Sequence, residues 1–288
     1  MKPAAFTYHR PSSVEEAAGL LAKHADDDVR ILAGGQSLAP IMAFRLARPG
    51  HLVDINAIDG LDRIRLEGEY LVIGATVRHV AFQTPVASGP IGLLLAKVVH
   101  SIAHYPIRTR GTFCGSLAHA DPASEWCLVA ATLDAEMNLF GPRGARRVAA
   151  ADFFQSAMAT AIEGDEMLVD VRLPLLGGGA KFGFEEFSRR PGDFAMAMAL
   201  VTYQIGDGVI VEPRVGVGGA EDRPRRIAEA EAILAGKAPS EEVFQAAAEA
   251  AATAIDPLVD AQIPEWYRRD LVRAMTFRAL KQTLDAAA

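Results

Sequence analysis

Cysteine is nearly missing from this chain of 288 residues. Cys114 and Cys127 are the two present, and their spacing is not CxxC. Two thiols so placed cannot build a disulfide framework. Nor can they alone ligate an iron–sulfur cluster or a thiolate zinc site. Basic excess is missing too: 29 Lys and Arg stand against 36 Asp and Glu, a net charge of −7. A nucleic-acid binder needs a basic surface to neutralise phosphates, and docking on anionic lipid needs the same. No apolar run approaches the ~18 residues of a membrane span. The opening MKPAAFTYHRPSS lacks the apolar stretch of a signal peptide. The expectation is a soluble cytoplasmic protein with no nucleic-acid partner and no membrane insertion. Also lacking are a GxGxxG or GxxxxGK[ST] phosphate loop, a GxSxG nucleophile elbow, an internal repeat and any low-complexity tract.

What is there is apolar material for substantial cores, at 50% of residues. At about 150 residues per domain, the length suits two domains. Ser12 and Ser13 each precede a glutamate by three positions, a capping-box pattern that starts a helix through EEAAGLLAKH. VRILAG and LVDI read as strands with a helix, SLAPIMAFRLA, between them. IRLEGEYLVIGAT reads as a hairpin about Glu67-Gly68-Glu69, and 137–150 as another about Gly141-Pro142. Helices are expected for VRHVAF, Ile91–His104, 126–136 and Asp152–Met158, and a strand for EMLVDVRLP. Gly177-Gly178-Gly179 is the clearest linker. After it come three strands (KFGFEEFSRR, AMALVTYQIG, VIVEPRVGVGG) and an alanine-rich helical tail, its first helix at Ser240 and its last over Glu265–Asp285. The domain boundary is placed at 177.

Two glycine-bearing turns carry the chemical signal. Ala33-Gly34-Gly35-Gln36-Ser37 lies between a strand and a helix, where adjacent glycines permit close backbone approach and positive φ, and unpaired first-turn amides face an anion. Gly111-Thr112-Phe113-Cys114-Gly115-Ser116, followed by LAHADPASE, combines glycines and hydroxyls in a stretch read as too irregular for helix or strand. Each alone is also a plain turn. Together they suit a diphosphate gripped by main-chain amides, since no Lys or Arg lies inside the first and only Arg108 and Arg110 flank the second.

These segments, AGGQSLAPIMAFRLARPGHLVDI and IRTRGTFCGSLAHADPASE, resemble the two FAD-pyrophosphate loops of molybdenum hydroxylases, in the FAD-binding medium subunits of carbon-monoxide-dehydrogenase and xanthine-dehydrogenase-type enzymes. EEFSRRPGDFA, VEPRVGVGGAEDRPRRIAEAEAILAG and EWYRRDLVRAMTFRALKQ extend the resemblance over nearly the whole chain. It implies an α+β protein. A vanillyl-alcohol-oxidase-type (PCMH) FAD-binding domain would occupy 1–177, with subdomains of about 1–57 and 58–177. A C-terminal domain with a three-stranded antiparallel sheet and helices would occupy 178–288. It implies FAD as cofactor, a small [2Fe–2S] subunit and a large molybdopterin-binding subunit as partners, and a dimer of heterotrimers. The chain would take electrons from the clusters and pass them to an external acceptor. Carried over residue by residue, Ala33, Gly34, Gly35, Gln36 and Ser37 match the first loop, and Val29, Arg30, Ile31 and Leu32 the strand leading in. Thr112, Cys114, Gly115 and Ser116 match the second loop. Glu125 matches an acidic position at the ribityl chain, Leu168 an apolar flavin contact, and Phe194 an aromatic beside the isoalloxazine, which Ile107 also borders.

Three departures stand out. Cys114 replaces a glycine common in the family. Glu185 and Glu186 replace a lysine before the SRR segment. Gln36 replaces the histidine common in carbon-monoxide-oxidising members, which leaves an N-heterocycle, aldehyde or purine-like substrate open. No catalytic residue and no metal site is assigned. His100 and His104, four apart on an expected helix, lack a third ligand. His119 is read as holding its loop, and Asp165-Glu166 and Glu241-Glu242 as solvated. Leu271, Met275 and Leu280 are read as core. A cofactor-centred electron carrier needs no acid–base pair of its own. The competing readings are a stand-alone FAD-dependent reductase or oxidase and an FAD-free scaffold subunit.

Overall fold

The computed structural model describes residues 2–259 and 263–285. The chain begins with β1 (Thr7–His9), α1 (Val14–Lys23), β2 (Val29–Leu32), α2 (Leu38–Ala43) and β3 (His51–Asp54), and the three strands form a parallel sheet ordered β1-β3-β2. The capping box at α1 spans both serines. Ser13 Oγ accepts the Glu16 amide at 3.1 Å, while the Glu16 carboxylate accepts the Ser12 amide at 2.7 Å. α2 stops earlier than its apolar pattern suggests. Arg45 takes φ +60, so its own amide reaches the Met42 carbonyl and that of Leu46 reaches Ile41, a Schellman ending without glycine.

Next come β4 (Ile64–Glu67), β5 (Tyr70–Gly74), α3 (Pro90–Val98), α4 (Tyr105–Arg108), α5 (Phe113–His119), α6 (Glu125–Thr132), β6 (Glu136–Gly141), β7 (Gly144–Ala149), α7 (Ala150–Phe153), β8 (Phe154–Ser156), β9 (Ala159–Thr160) and β10 (Met167–Pro174). β4, β5, β10, β6 and β7 form an antiparallel sheet in that order. Both expected hairpins are present, with Gly68 at φ +58 and Gly144 at φ +97 in their turns. The core between this sheet and the helices centres on Phe82, Phe113 and Trp126, whose ring centroids lie 4.8–5.6 Å apart.

Three expectations need correction here. The stretch after Gly111 is not irregular but the helix α5. Thr112 caps its start, Ala120 in the left-handed region closes its end, and Phe113, Cys114 and Leu117 are buried along one side. The helix expected through His104 ends at Val98, because the Arg108 guanidinium binds the Ile102 and Ala103 carbonyls, both at 2.8 Å, and holds the chain in a turn. His100 and His104 therefore do not share a helix. The helix expected over Asp152–Met158 ends at Phe153 and gives way to the β8–β9 hairpin.

The remainder holds β11 (Lys181–Phe187), β12 (Ala197–Gly206), β13 (Val209–Gly218), β14 (Arg225–Arg226), α8 (Ala228–Leu234), α9 (Glu241–Ala254) and α10 (Glu265–Asp285). Its antiparallel sheet, ordered β11-β12-β13-β14, has four strands rather than three. The short β14 is fixed by Arg226, which binds Glu231 at 2.8 and 2.7 Å and Asp134 at 2.7 Å. α8 precedes the helix expected at Ser240, and Ser240 caps α9. β12 alternates between two cores. Met198 and Leu200 pack into the first, while Ala197, Ala199, Val201 and Tyr203 pack into the second with α9 and α10. Helices come close to the sheet where strand positions lack Cβ. One added at Gly183 would stand 1.8 Å from the Ala279 carbonyl of α10, and one at Gly216 1.8 Å from Thr132 Oγ1 of α6. Among the described residues no helix is long and apolar enough to cross a membrane.

Candidate cofactor-binding site

A cleft of about 940 Å³ opens between the β2–α2 turn, α5, the Glu163–Leu168 segment and the Gly192–Phe194 turn. That is the upper end of the range for ligand sites, about 300–1,000 Å³. The residues singled out above converge on it. Val29, Arg30, Ile31, Ala33 to Ser37, Ile107, Thr112, Cys114, Gly115, Ser116, Glu125, Leu168 and Phe194 all border it. Leu32 does not; its Cδ1 lies under the turn, 3.2 Å from where a Gly35 Cβ would stand.

The two glycine turns touch each other. A Cβ on Gly34 would fall 2.5 Å from the Arg110 carbonyl oxygen and 2.7 Å from Gly111 Cα, so bare backbone packs on bare backbone. Gly35 has φ +70, which turns the chain into α2, and the Gln36 side-chain amide donates to the Gly34 carbonyl at 3.0 Å. Gln36 thus braces the turn it belongs to. Ser37 precedes α2 without a side-chain capping bond, which leaves its hydroxyl to the cleft. Both α2 and α5 are short, so neither offers a long macrodipole. In α5 the Phe113 amide donates to the Val77 carbonyl and the Gly115 and Ser116 amides to Thr112, while α2 starts without a side-chain cap on its first-turn amides.

A clamp that sequence reading missed holds the pair together. Arg78 donates to the Arg110 carbonyl and to Asn56 Oδ1, and Asn56 Nδ2 donates to the Ala33 carbonyl at 2.9 Å. Beneath Gly111 lies His79, also missed, whose Nε2 would be 2.5 Å from a Cβ there. Trp126 Nε1, which can only donate, gives its hydrogen to His79 Nδ1 at 2.9 Å. The proton of the neutral ring therefore sits on Nε2. Burial, with the charges of Arg78 and Arg108 adding to it, pulls this imidazole down to about 4, so it is neutral at pH 7.

Thr112 and Cys114 have structural work as well. Thr112 Oγ1 accepts the Gly115 amide at 3.0 Å, and a Cβ on Gly115 would meet that oxygen at 2.5 Å. The Cys114 thiol donates to the Ile73 carbonyl at 3.5 Å, and burial pushes its pKa well up, so it is no nucleophile. Cys127 is likewise buried and pushed up to about 12.

Charge on the cleft wall is mostly acidic. Glu166, expected to be solvated, is buried. Arg146 grips it with two bonds of 2.7 Å and the Glu163 amide donates to it at 2.9 Å, which holds it below the usual carboxylate range. Asp165 pairs with Arg143 at 2.8 Å. Glu125 shares a buried contact with Glu186. Loss of water raises both carboxyls, and the charge of Glu125 raises Glu186 further, so the pair retains a proton. The two glutamates that replace a lysine thus point apart, as strand alternation requires: Glu186 joins Glu125, while Glu185 accepts from Gln282 of α10. Arg30, the one guanidinium on the wall among the described residues, donates to Asp28 at 2.8 Å. Gly192, at φ +86, packs on the His104 ring, and Phe194 stands 77% exposed at the rim. His119 also borders the cleft, near the end of α5.

Comparison with known proteins decides the family. Residues 4–176 match the FAD binding domain in molybdopterin dehydrogenase, and residues 182–283 match the CO dehydrogenase flavoprotein C-terminal domain. The chain belongs to the FAD-binding medium subunits of carbon-monoxide-dehydrogenase-type molybdenum hydroxylases. It is 37% identical to the nicotine 6-hydroxylase medium subunit of Paenarthrobacter nicotinovorans, over 97% of this chain and 98% of that one. It is 36% identical to the carbon monoxide dehydrogenase medium chain of Afipia carboxidovorans, over 98% of each. The carbon monoxide dehydrogenase structure from Hydrogenophaga pseudoflava superposes with a TM-score of 0.94 at 36% identity, covering all of both chains. Quinoline 2-oxidoreductase from Pseudomonas putida 86 gives 0.92 at 36% identity, covering 100% of this chain and 99% of that one. As a medium subunit of this family, the chain is an oxidoreductase component whose cofactor is FAD.

Proposed function

We propose that this subunit takes electrons from [2Fe–2S] clusters on a small partner and delivers them to an external acceptor, while a large molybdopterin-binding partner oxidises the organic substrate. The carrying observation is the contact between the two glycine turns. It walls a cleft with room for a ligand beside the uncapped first turn of α2 and, among the described residues, with no free lysine or arginine on it, which suits an anionic diphosphate held by neutral donors. On this reading Ala33 to Ser37, Thr112, Cys114, Gly115 and Ser116 hold the FAD pyrophosphate. Val29, Arg30, Ile31 and Leu32 support the first turn, Glu125 meets the ribityl chain, and Ile107, Leu168 and Phe194 border the ring. When bound, the flavin supplies a carrier that accepts electrons from one-electron donors and releases them as a pair. The protein positions it, keeps His79 neutral behind the second turn and keeps the Glu125–Glu186 proton at hand. Both cysteines are buried and protonated, so the clusters belong to another chain. The vanillyl-alcohol-oxidase-type assignment, the division at 177 and a dimer of heterotrimers are parts of the same proposal.

The test is reconstitution. The purified chain should bind one FAD and show no turnover until cluster-bearing and molybdenum-bearing partners are added. Turnover by the isolated chain with a reduced nicotinamide would point to a stand-alone reductase. A colourless chain that takes up no FAD would sink the proposal.

A further inference from the structure

Away from the cleft, three histidines from three elements meet. His9 ends β1, His24 follows the last residue of α1, and His51 opens β3. Their rings stack on one another, with centroids 3.8 Å apart for His24–His51 and 5.1 Å apart for each of the other two pairs. One nitrogen from each ring lies within 4.8 Å of the other two. His9 Nε2 and His51 Nδ1 are 2.8 Å apart and share a proton. None of the three borders the cleft.

We propose that His9, His24 and His51 form a binding site for a divalent transition-metal ion of the zinc type. Imidazole nitrogens at Zn–N of about 2.0–2.1 Å in a tetrahedron stand about 3.3 Å apart. The His9–His51 pair needs to open by a few tenths of an ångström, and the ion takes the place of the shared proton. Borderline ions prefer imidazole over oxygen, and three rings with no thiolate suit zinc, copper or nickel rather than magnesium or calcium. Asp27 Oδ2 stands 3.7 Å from His51 Nε2 and 4.0 Å from His24 Nδ1, so its carboxylate faces the His51 nitrogen that His9 does not. A carboxylate on the far nitrogen orients a ligating histidine and fixes its tautomer. The three side chains are partly buried, and three protein ligands leave the fourth position of a tetrahedral ion to water. The ion would tie β1 and the end of α1 to β3. His51 is the Cα partner of Val29, a cleft residue, so the clamp sits one strand from the cofactor site.

The test uses the full FAD-loaded chain, stripped with a chelator and dialysed against zinc chloride. One zinc per chain is expected, with a rise in Tm. Each of His9→Gln, His24→Gln and His51→Gln should lose the zinc and the Tm rise while keeping full flavin absorbance, which shows that the variants fold. Asp27→Asn should weaken zinc binding about tenfold. Copper(II) loaded in place of zinc should show nitrogen superhyperfine splitting in its electron paramagnetic resonance spectrum. Zinc retained by all three histidine variants, or no zinc bound by the native chain, would overturn the site.

Discussion

The cleft turns and the C-terminal sheet both rest on glycines whose missing Cβ lets two backbones touch, yet they use that contact for different ends. At Gly183 a strand receives the backbone of α10, and the glycine is buried between them. At Gly34 the same closeness, 2.5 Å from a would-be Cβ to the Arg110 oxygen, builds one wall of an open cleft. The first contact is needed to have a fold; the second is needed for the fold to hold something. On the proposed reading one residue type serves stability in one place and cofactor binding in the other, and substitutions should separate the two.

The largest effect is expected at the sheet. Gly183→Val forces β11 away from α10 and should cost about 3 kcal/mol. For a chain of this size that is a fall in Tm of roughly 6–12 °C by calorimetry. Gly34→Val should weaken FAD about thirtyfold, the equivalent of about 2 kcal/mol. Flavin fluorescence titration reads this, while the Tm of the FAD-free protein should move less than in the sheet variant. Equal losses of Tm from both would erase the distinction. Asn56→Ala removes the link between Arg78 and the Ala33 carbonyl and should cost FAD affinity about tenfold, near the energy of one or two hydrogen bonds.

The smallest effect is a pH slope. Glu125 and Glu186 keep a proton that the unfolded chain has already released, so they draw stability down as pH rises from the ordinary carboxylate range through neutrality. Glu186→Gln should therefore stabilise the protein at pH 8 by about 1 kcal/mol and change little at pH 5, as denaturant melts at the two pH values can check. His79 works in the opposite direction. Held at about 4, it stays neutral where the unfolded chain's histidine takes a proton, and stability falls as pH drops from about 6.5 toward 4.

What could be read in the sequence was local. The Ser12-Ser13-Glu16 cap, the turns about Gly68 and Gly141-Pro142 and the start of α9 at Ser240 each lie within a few residues of the groups they bond, so composition and spacing suffice. The paired glycine turns were visible too, though not that they touch. α5 was missed because Cys114, Gly115 and Ser116 have modest helix propensity; a threonine cap and three buried side chains make the helix. Asn56, Arg78 and His79 were missed because their partners lie at Ala33, Arg110 and Trp126, and only the folded chain brings them together. Glu166 reads as a surface acid until Arg146 arrives from the neighbouring hairpin. The three stacked histidines are separated by fifteen residues or more and show no ligand spacing at all.

β12 belongs to two interiors at once, with Met198 and Leu200 turned one way and Val201 and Tyr203 the other. A linker of three glycines suggests a place to cut, but a protein trimmed there would leave one half holding an unwanted greasy flank and the other missing part of its filling. Heat should accordingly melt the two halves in a single calorimetric peak, and swapping either half between relatives should succeed only when this strand travels with the residues it faces on both sides.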